Sequence, residues 1–309
     1  MNRVLVIRGG AIGDFILTLP AINLLRKEFP RAQIEILGYE SIIVLAERRF
    51  YADAIRSIEY GPLARFFAKG SALPAELSEY FGSFDLIVSY LFDPDRIFQN
   101  NLERCGIKMF ISGPSKLSSH EHAALQLARP LEPIGLHLKN PAARIYPTQG
   151  DREFARDVLG SSRKPVIALH PGSGSETKNW PIENWKKLGE HFFSTGRTVL
   201  MVAGEADEER FRLLETAWKD KPVRFAKNFA LPHLAALFET SFFIGHDSGI
   251  SHIAAAVGAR CVLLFGPTDP NVWAPANEKV TVIRAPNGDL GLLVADNVIA
   301  VLERQLSLR

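Results

Sequence analysis

Short apolar runs rich in β-branched residues alternate with amphipathic helical stretches along nearly the whole chain, and few architectures accept that rhythm. It points to parallel sheets covered on their faces by crossover helices. In the first half the strand candidates are residues 4–7, 34–37, 55–58, 86–90 and 108–111. In the second half they are residues 166–169, 198–202, 223–225, 242–244 and 261–265. Between them lie helical patterns such as Ala21, Leu24, Leu25 and Glu28 ahead of Pro30, where a helix must stop. The class expected is α/β, as two doubly wound, Rossmann-like parallel sheets.

At 309 residues the chain exceeds one ordinary domain. The alternation breaks after Arg129 in RPLEPIGLHLKNPAARIYPTQG, which holds four prolines, and a helical pattern resumes over residues 151–159. Domains 1–150 and 151–289 are therefore expected, with a closing helical segment whose domain its periodicity does not assign. Lys plus Arg outnumber Asp plus Glu by 17 to 15 in residues 1–150 and balance at 19 each in the rest, giving +2 and 0. Neither half has the basic balance of a nucleic-acid binder. Val4-Leu5-Val6-Ile7 breaks at Gly9-Gly10, too short for a signal-peptide core, and no run approaches a membrane span. Cys105 and Cys261 stand far apart with no metal-ligand spacing, as expected of reduced thiols in a cytosolic protein.

Open sheets of this kind bind ligands beyond the C-terminal ends of their strands, so motifs at those ends carry most weight. The first is Gly245-His246-Asp247-Ser248-Gly249-Ile250-Ser251-His252, between a buried strand and an Ala-rich helix. Asp247 or Ser248 can cap that helix, leaving N–H groups and the positive dipole end beside Gly249, which suits an anion. A plain capped helix explains the same residues except His252, and spacing alone does not choose between them. No HExxH-like spacing supports a zinc site. The second is His170-Pro171-Gly172-Ser173-Gly174-Ser175-Glu176-Thr177-Lys178-Asn179-Trp180-Pro181: either a surface turn, or a loop whose hydroxyls and Lys178 suit phosphate. It is not a P-loop.

The third, Arg8-Gly9-Gly10-Ala11-Ile12-Gly13-Asp14, fails the dinucleotide fingerprint, and Asp14 there is a general base or a cap. The fourth, Asp93-Pro94-Asp95, could hold a divalent metal, although a turn and cap is the commoner use of such residues. Glu205 ends a strand and could meet a ribose, or belong to a solvated helix face. Arg65-Phe66-Phe67-Ala68-Lys69 could touch lipid headgroups or simply pack half-buried, and His120 and His122 lie in a polar turn.

Taken in order, RGGAIGDFILTLPAINLLRKEFP, HPGSGSETKNWP and FFIGHDSGISHIAAAVGARCVLLFGPTDPNVWAP resemble glycosyltransferase family 9, the ADP-heptose:lipopolysaccharide heptosyltransferases of the GT-B fold. The resemblance implies an acceptor-binding first domain, a donor-binding second domain with the reaction in the cleft, and a final helix, 290–309, that can cross back to the first. It implies Asp14 as catalytic base beside Gly13 on the acceptor side, and Lys178 near the donor diphosphate. Ser173, Asp247, Ser248, Gly249 and His252 fall to the donor-phosphate site, and Glu205 to the ribose. His246 and Ile250 depart from the commoner GNDSGP form, and Gly172-Ser173-Gly174 from consecutive threonines. The activity implied is metal-independent inverting transfer from ADP-heptose to a lipopolysaccharide-type glycolipid at the membrane surface. No cofactor or nucleic acid is implied, and a cytoplasmic monomer or weak oligomer is expected. The rivals are a metal-dependent transferase using Asp93 and Asp95, a transferase using another nucleotide sugar, a non-catalytic nucleotide-sugar binder and, least supported, an NAD-dependent oxidoreductase.

Overall fold

In the computed structural model, which describes residues 1–160, 165–204 and 207–307, the chain forms two compact units, Met1–Pro141 and Ala142–Arg309.

The first unit is built on a five-stranded parallel sheet of β1 (Arg3–Arg8), β2 (Gln33–Gly38), β3 (Ala54–Ser57), β4 (Leu86–Ser89) and β5 (Phe110–Ser112), in the order β3-β2-β1-β4-β5. Strand β1 is central, pairing Val4 with Ile34 on one side and Leu86 on the other. Val4, Leu5, Val6 and Ile7 are wholly buried. That is why the strand reads as an unbroken apolar run: each side chain removed from water contributes about 1.5–3 kcal/mol on either face. The chain leaves β1 through Gly9 and Gly10 into the helix Ile12–Glu28, buried from Phe15 through Ile22. Pro20 removes one amide from the middle of this helix, and the buried flank holds it in place. Arg26 and Lys27 meet the dipole at its last turn.

The second unit carries a six-stranded parallel sheet of β6 (Val166–Leu169), β7 (Val199–Ala203), β8 (Val223–Lys227), β9 (Ser241–His246), β10 (Arg260–Phe265) and β11 (Val280–Arg284), in the order β11-β10-β9-β6-β7-β8. Its core gathers Trp180, Trp185 and Trp218, all wholly buried. Strand β11 is absent from the sequence-based expectation. It is a half-buried edge strand, and the signal for it is the β-branched run Val280, Thr281, Val282 and Ile283. The closing helix, Ala295–Ser307, sends Val298 and Leu302 into this second core and ties Asp296 to Lys187 at 2.7 Å. It therefore packs within the second unit, where the resemblance allowed it to cross to the first; the apolar stripe of Ala295, Val298 and Leu302 decides the matter. The first unit ends at Pro141, ahead of the expected 150, because Ala143 and Ile145 already bond to Asn277 and Ala256.

In each sheet the strand order reverses once, between β1 and β4 and between β6 and β9. At such a switch point the flanking helices depart on opposite faces and open a crevice at the strand ends.

Candidate active site

The second crevice explains why two motifs far apart in sequence meet. Strands β6 and β9 are direct neighbours, with Leu169 paired to Ile244, and the His170 amide donates to the Ile244 carbonyl at 3.0 Å. The loop after β6 and the turn after β9 are thus laid side by side. Lys178 Nζ reaches Asp247 Oδ2 at 2.7 Å across 69 residues of sequence. Ser248, not Asp247, caps the helix Gly249–Ala256, its Oγ accepting the Ser251 amide at 3.3 Å. The helix is thus capped, and the cation Lys178 is held at the residue just before the cap. His252 lies on that helix and is buried. Ser173 Oγ donates within its own loop, to Asn179 Oδ1 at 2.8 Å. Glu205 lies outside the described residues.

His246 holds the two segments together. Its Nε2 accepts the Trp180 amide at 2.8 Å, so Nε2 carries no hydrogen and Nδ1–H faces the Gly172 carbonyl at 3.4 Å. The ring is wholly buried. Burial, with help from His170, pushes its pKa down to about 3. His246 is thus a neutral imidazole of fixed tautomer, a use that a search for metal or phosphate ligands does not anticipate.

Two further residues escaped the sequence analysis. His170 Nε2 sits 3.1 Å from Asp207 Oδ2, and both side chains are almost fully buried. Burial alone drives the Asp207 carboxyl up; the hydrogen bond from His170, aided by the Gly204 amide, helps outweigh it and hold the group below the usual carboxylate range. A Cβ at Gly172 would fall 1.6 Å from Asp207 Oδ1, so only glycine lets the loop lie over this carboxylate. In EADEER, Asp207 stands among three glutamates that look alike in sequence.

In the first unit, Arg8 ends β1 at the switch point and is buried, its guanidinium 5.7 Å from the Tyr90 ring centre. Asp14 Oδ1 stands 3.3 Å from Arg8 Nη2, while Oδ2 accepts the Ala11 amide at 2.9 Å. Burial makes Arg8 a weaker base than usual, and Asp14 partly restores it. Asp14 is not the cap, a place that Ala11 takes; from the third position of the helix its carboxylate accepts the cap's amide, and it remains 38% exposed beside a buried cation. Gly13 precedes it in the same first turn. Gly10 is required, at φ +95° and with a Cβ that would meet Asp14 Oδ2 at 2.6 Å. Arg8, quoted in the motif, was not singled out, because a strand-end arginine ordinarily faces water.

The softer candidates resolve into structural uses. Asp93 caps the helix Ile97–Glu103, taking the Phe98 and Gln99 amides at 3.1 and 2.9 Å, which removes its carboxylate from any pair with exposed Asp95. Among the described residues no cluster of three His, Cys, Asp or Glu could hold a metal. His122 caps the helix Ala123–Ala128, and His120 is exposed. Along Arg65 to Lys69, Phe66 is buried and Phe67 stacks on Phe98. Cys105 and Cys261 are free thiols, and no helix of the described residues is long and apolar enough to cross a membrane.

Comparison with known proteins agrees with this geometry. The family model described as glycosyltransferase family 9 (heptosyltransferase) matches residues 119–295. Lipooligosaccharide heptosyltransferase 2 of Haemophilus influenzae is 29% identical over 145 residues, 45% of this chain and 42% of that relative. Lipopolysaccharide heptosyltransferase 1 of Escherichia coli O18:K1:H7 is 23% identical, with 97% of each chain covered. The solved E. coli ADP-heptose lps heptosyltransferase II superposes with a TM-score of 0.80 at 18% identity, over 99% of this chain and 98% of that one, and shows that the GT-B fold is shared. With its two Rossmann-like sheets and a family match over more than half its length, the chain belongs to glycosyltransferase family 9.

Proposed function

We propose that this glycosyltransferase moves heptose from ADP-heptose to a lipopolysaccharide-type glycolipid by a single, inverting displacement. The observation that carries this reading is Lys178, ion-paired with Asp247 at the N-terminus of the helix Gly249–Ala256, where neighbouring strands end. A cation and a helix dipole aimed at one spot are what a departing diphosphate needs. Printed names of the relatives and of the solved neighbour supply the sugar, the nucleotide and the acceptor class.

In this mechanism Asp14 removes the acceptor hydroxyl proton. The acceptor oxygen bonds to the anomeric carbon as the bond from that carbon to the diphosphate oxygen breaks, and ADP leaves with that electron pair. Lys178, Ser248 and Gly249 stabilise the charge on ADP, with Asp247 orienting Lys178, His252 behind them, and Ser173 and Glu205 completing the donor side. Arg8 holds the Asp14 carboxylate in place. All compensating charge comes from protein groups, so the step needs neither metal nor cofactor. The acceptor is met at the cytoplasmic membrane face by a peripherally associated monomer or weak oligomer.

The test is transfer from ADP-heptose to a heptose-deficient lipopolysaccharide acceptor, followed by mass spectrometry. Product is expected with wild type and a large loss with Lys178→Ala. Transfer from UDP-sugars instead, or none from ADP-heptose, would overturn the donor assignment.

A further inference from the structure

One end of the second sheet takes no part in the transfer described so far. Strands β10 and β11 continue the order outward from β9, each about 4.8 Å beyond the last. At their C-terminal ends lies a cavity of about 590 Å³, lined by Gly266, Pro267, Arg284, Ala285, Asn287 and Gly288.

Much of its wall is bare backbone. A Cβ at Gly266 would meet the Gly288 carbonyl at 3.3 Å, and one at Gly288 would meet the Gly266 carbonyl at 3.4 Å, so the turns after β10 and β11 touch through their glycines. Two polar side chains line the space, those of Arg284 and Asn287, and both are exposed. Among the described residues no carboxylate pairs with Arg284. The acids of these two turns are committed elsewhere: Asp269 Oδ1 accepts the Asn271 amide at 3.0 Å, and Asp289 Oδ1 accepts the Gly291 amide at 2.8 Å.

Register fixes the face on which this arginine stands. Ile283 and Ala285 pack into the core that holds the tryptophans, so Arg284, between them, belongs to the opposite face. Its partner on β10 is Phe265; Leu263, two residues earlier, shares that face and pairs with Gly245 on β9. Gly245 in turn faces the helix Gly249–Ala256, since a Cβ there would lie 3.0 Å from Ser251 Oγ. Arg284 is therefore on the same face as the helix assigned to the diphosphate, two strands along.

A nucleotide sugar extends in two directions from its diphosphate. With the diphosphate where β6 and β9 end and the ribose towards β7, the sugar must run towards β10 and β11. Two strand spacings, about 10 Å, are bridged by the sugar and the arginine's own length. We propose that the cavity at the ends of β10 and β11 is the sugar subsite of the donor site, and that Arg284 determines specificity there, its planar fork of N–H groups donating to neighbouring hydroxyls of the heptose. The proposal rests on the donor-site reading above.

The test is calorimetric titration with ADP and with ADP-heptose, without acceptor, on wild type and on Arg284→Met, which keeps a long stem and removes the fork. Arg284→Met is expected to lose about tenfold in affinity for ADP-heptose and less than about twofold for ADP. Asn287→Gly removes the second side chain at a backbone φ of +52° that glycine adopts freely, and should show a smaller loss confined to ADP-heptose. It provides the test if Arg284→Met does not fold. An equal loss for ADP and ADP-heptose would place the nucleotide, not the sugar, at Arg284, and unchanged affinity for ADP-heptose would place the sugar elsewhere. Either overturns the proposal and leaves the donor reading standing. Wild type that binds no ADP-heptose overturns both.

Discussion

At the scale of the residue, the two ends of the proposed reaction differ in how exposed their charges are. Asp14 keeps more than a third of its side chain in solvent, beside an arginine that is almost fully buried. Asp14→Asn preserves its shape and the Ala11 hydrogen bond but cannot take a proton. We expect kcat to fall by about 10² to 10⁴ while the Kd for ADP-sugar changes less than about twofold; unchanged kcat removes Asp14 from the role of base. His246 is a stability determinant. Its folded pKa of about 3 lies below the ordinary 6.5, so the unfolded chain binds the extra proton. The stabilisation is complete above pH 6.5 and drains away as pH falls towards 3, at up to about 1.4 kcal/mol per pH unit. Denaturant midpoints measured from pH 7.5 down to 4.5 should decline, and His246→Asn should start lower and decline less steeply. Gly172→Ala pushes a methyl into Asp207 and should cost about 1–3 kcal/mol, and clearly less in an Asp207→Ala background.

At the scale of the element, the donor-side geometry depends on pieces outside it. Trp180 gives its amide to His246 and its indole N–H to the Leu293 carbonyl at 2.6 Å, just before the closing helix. Leu302 anchors that helix in the same core. Leu302→Ala should cost about 2–5 kcal/mol in a denaturant titration; a cost under about 0.5 kcal/mol would mean that the helix is not docked as described. The strands were legible because parallel sheets bury both faces and leave unbroken apolar runs such as those of β1, β6 and β10. Strand β11 was not, since an edge strand with a half-wet face has no such run of buried residues to announce it. In the candidate site, Lys178 was legible as a charge suited to phosphate, and Asp247 and Ser248 as alternative caps of the helix that follows. His170, Asp207 and Arg8 were not. Their roles come from which strands are neighbours, and that order is a property of the sheet, which no local window contains.

At the scale of the whole molecule, ligand binding should be selective for the nucleotide and indifferent to chelators. A ligand present at about 100 times its Kd stabilises the folded state by about 2.7 kcal/mol. ADP species should therefore raise the melting temperature by several degrees where UDP, GDP and CDP species at equal concentration do not, and excess EDTA should leave transfer unaffected. Equal shifts with all four nucleotides would remove the base as a recognised feature. A chain with a formal charge of only +2 has almost no long-range field with which to sort anions. Sorting must then happen at contact, and here the pairing of Lys178 with Asp247 matters in a new way. A small monovalent anion gains too little to draw the ammonium from a carboxylate it already holds, whereas a diphosphate with two charges and a helix terminus behind it gains enough. Asp247 thus acts as a toll on the trivial anions of the solution. In Asp247→Asn, monovalent anions such as chloride and acetate should become effective inhibitors at concentrations that leave the parent enzyme untouched.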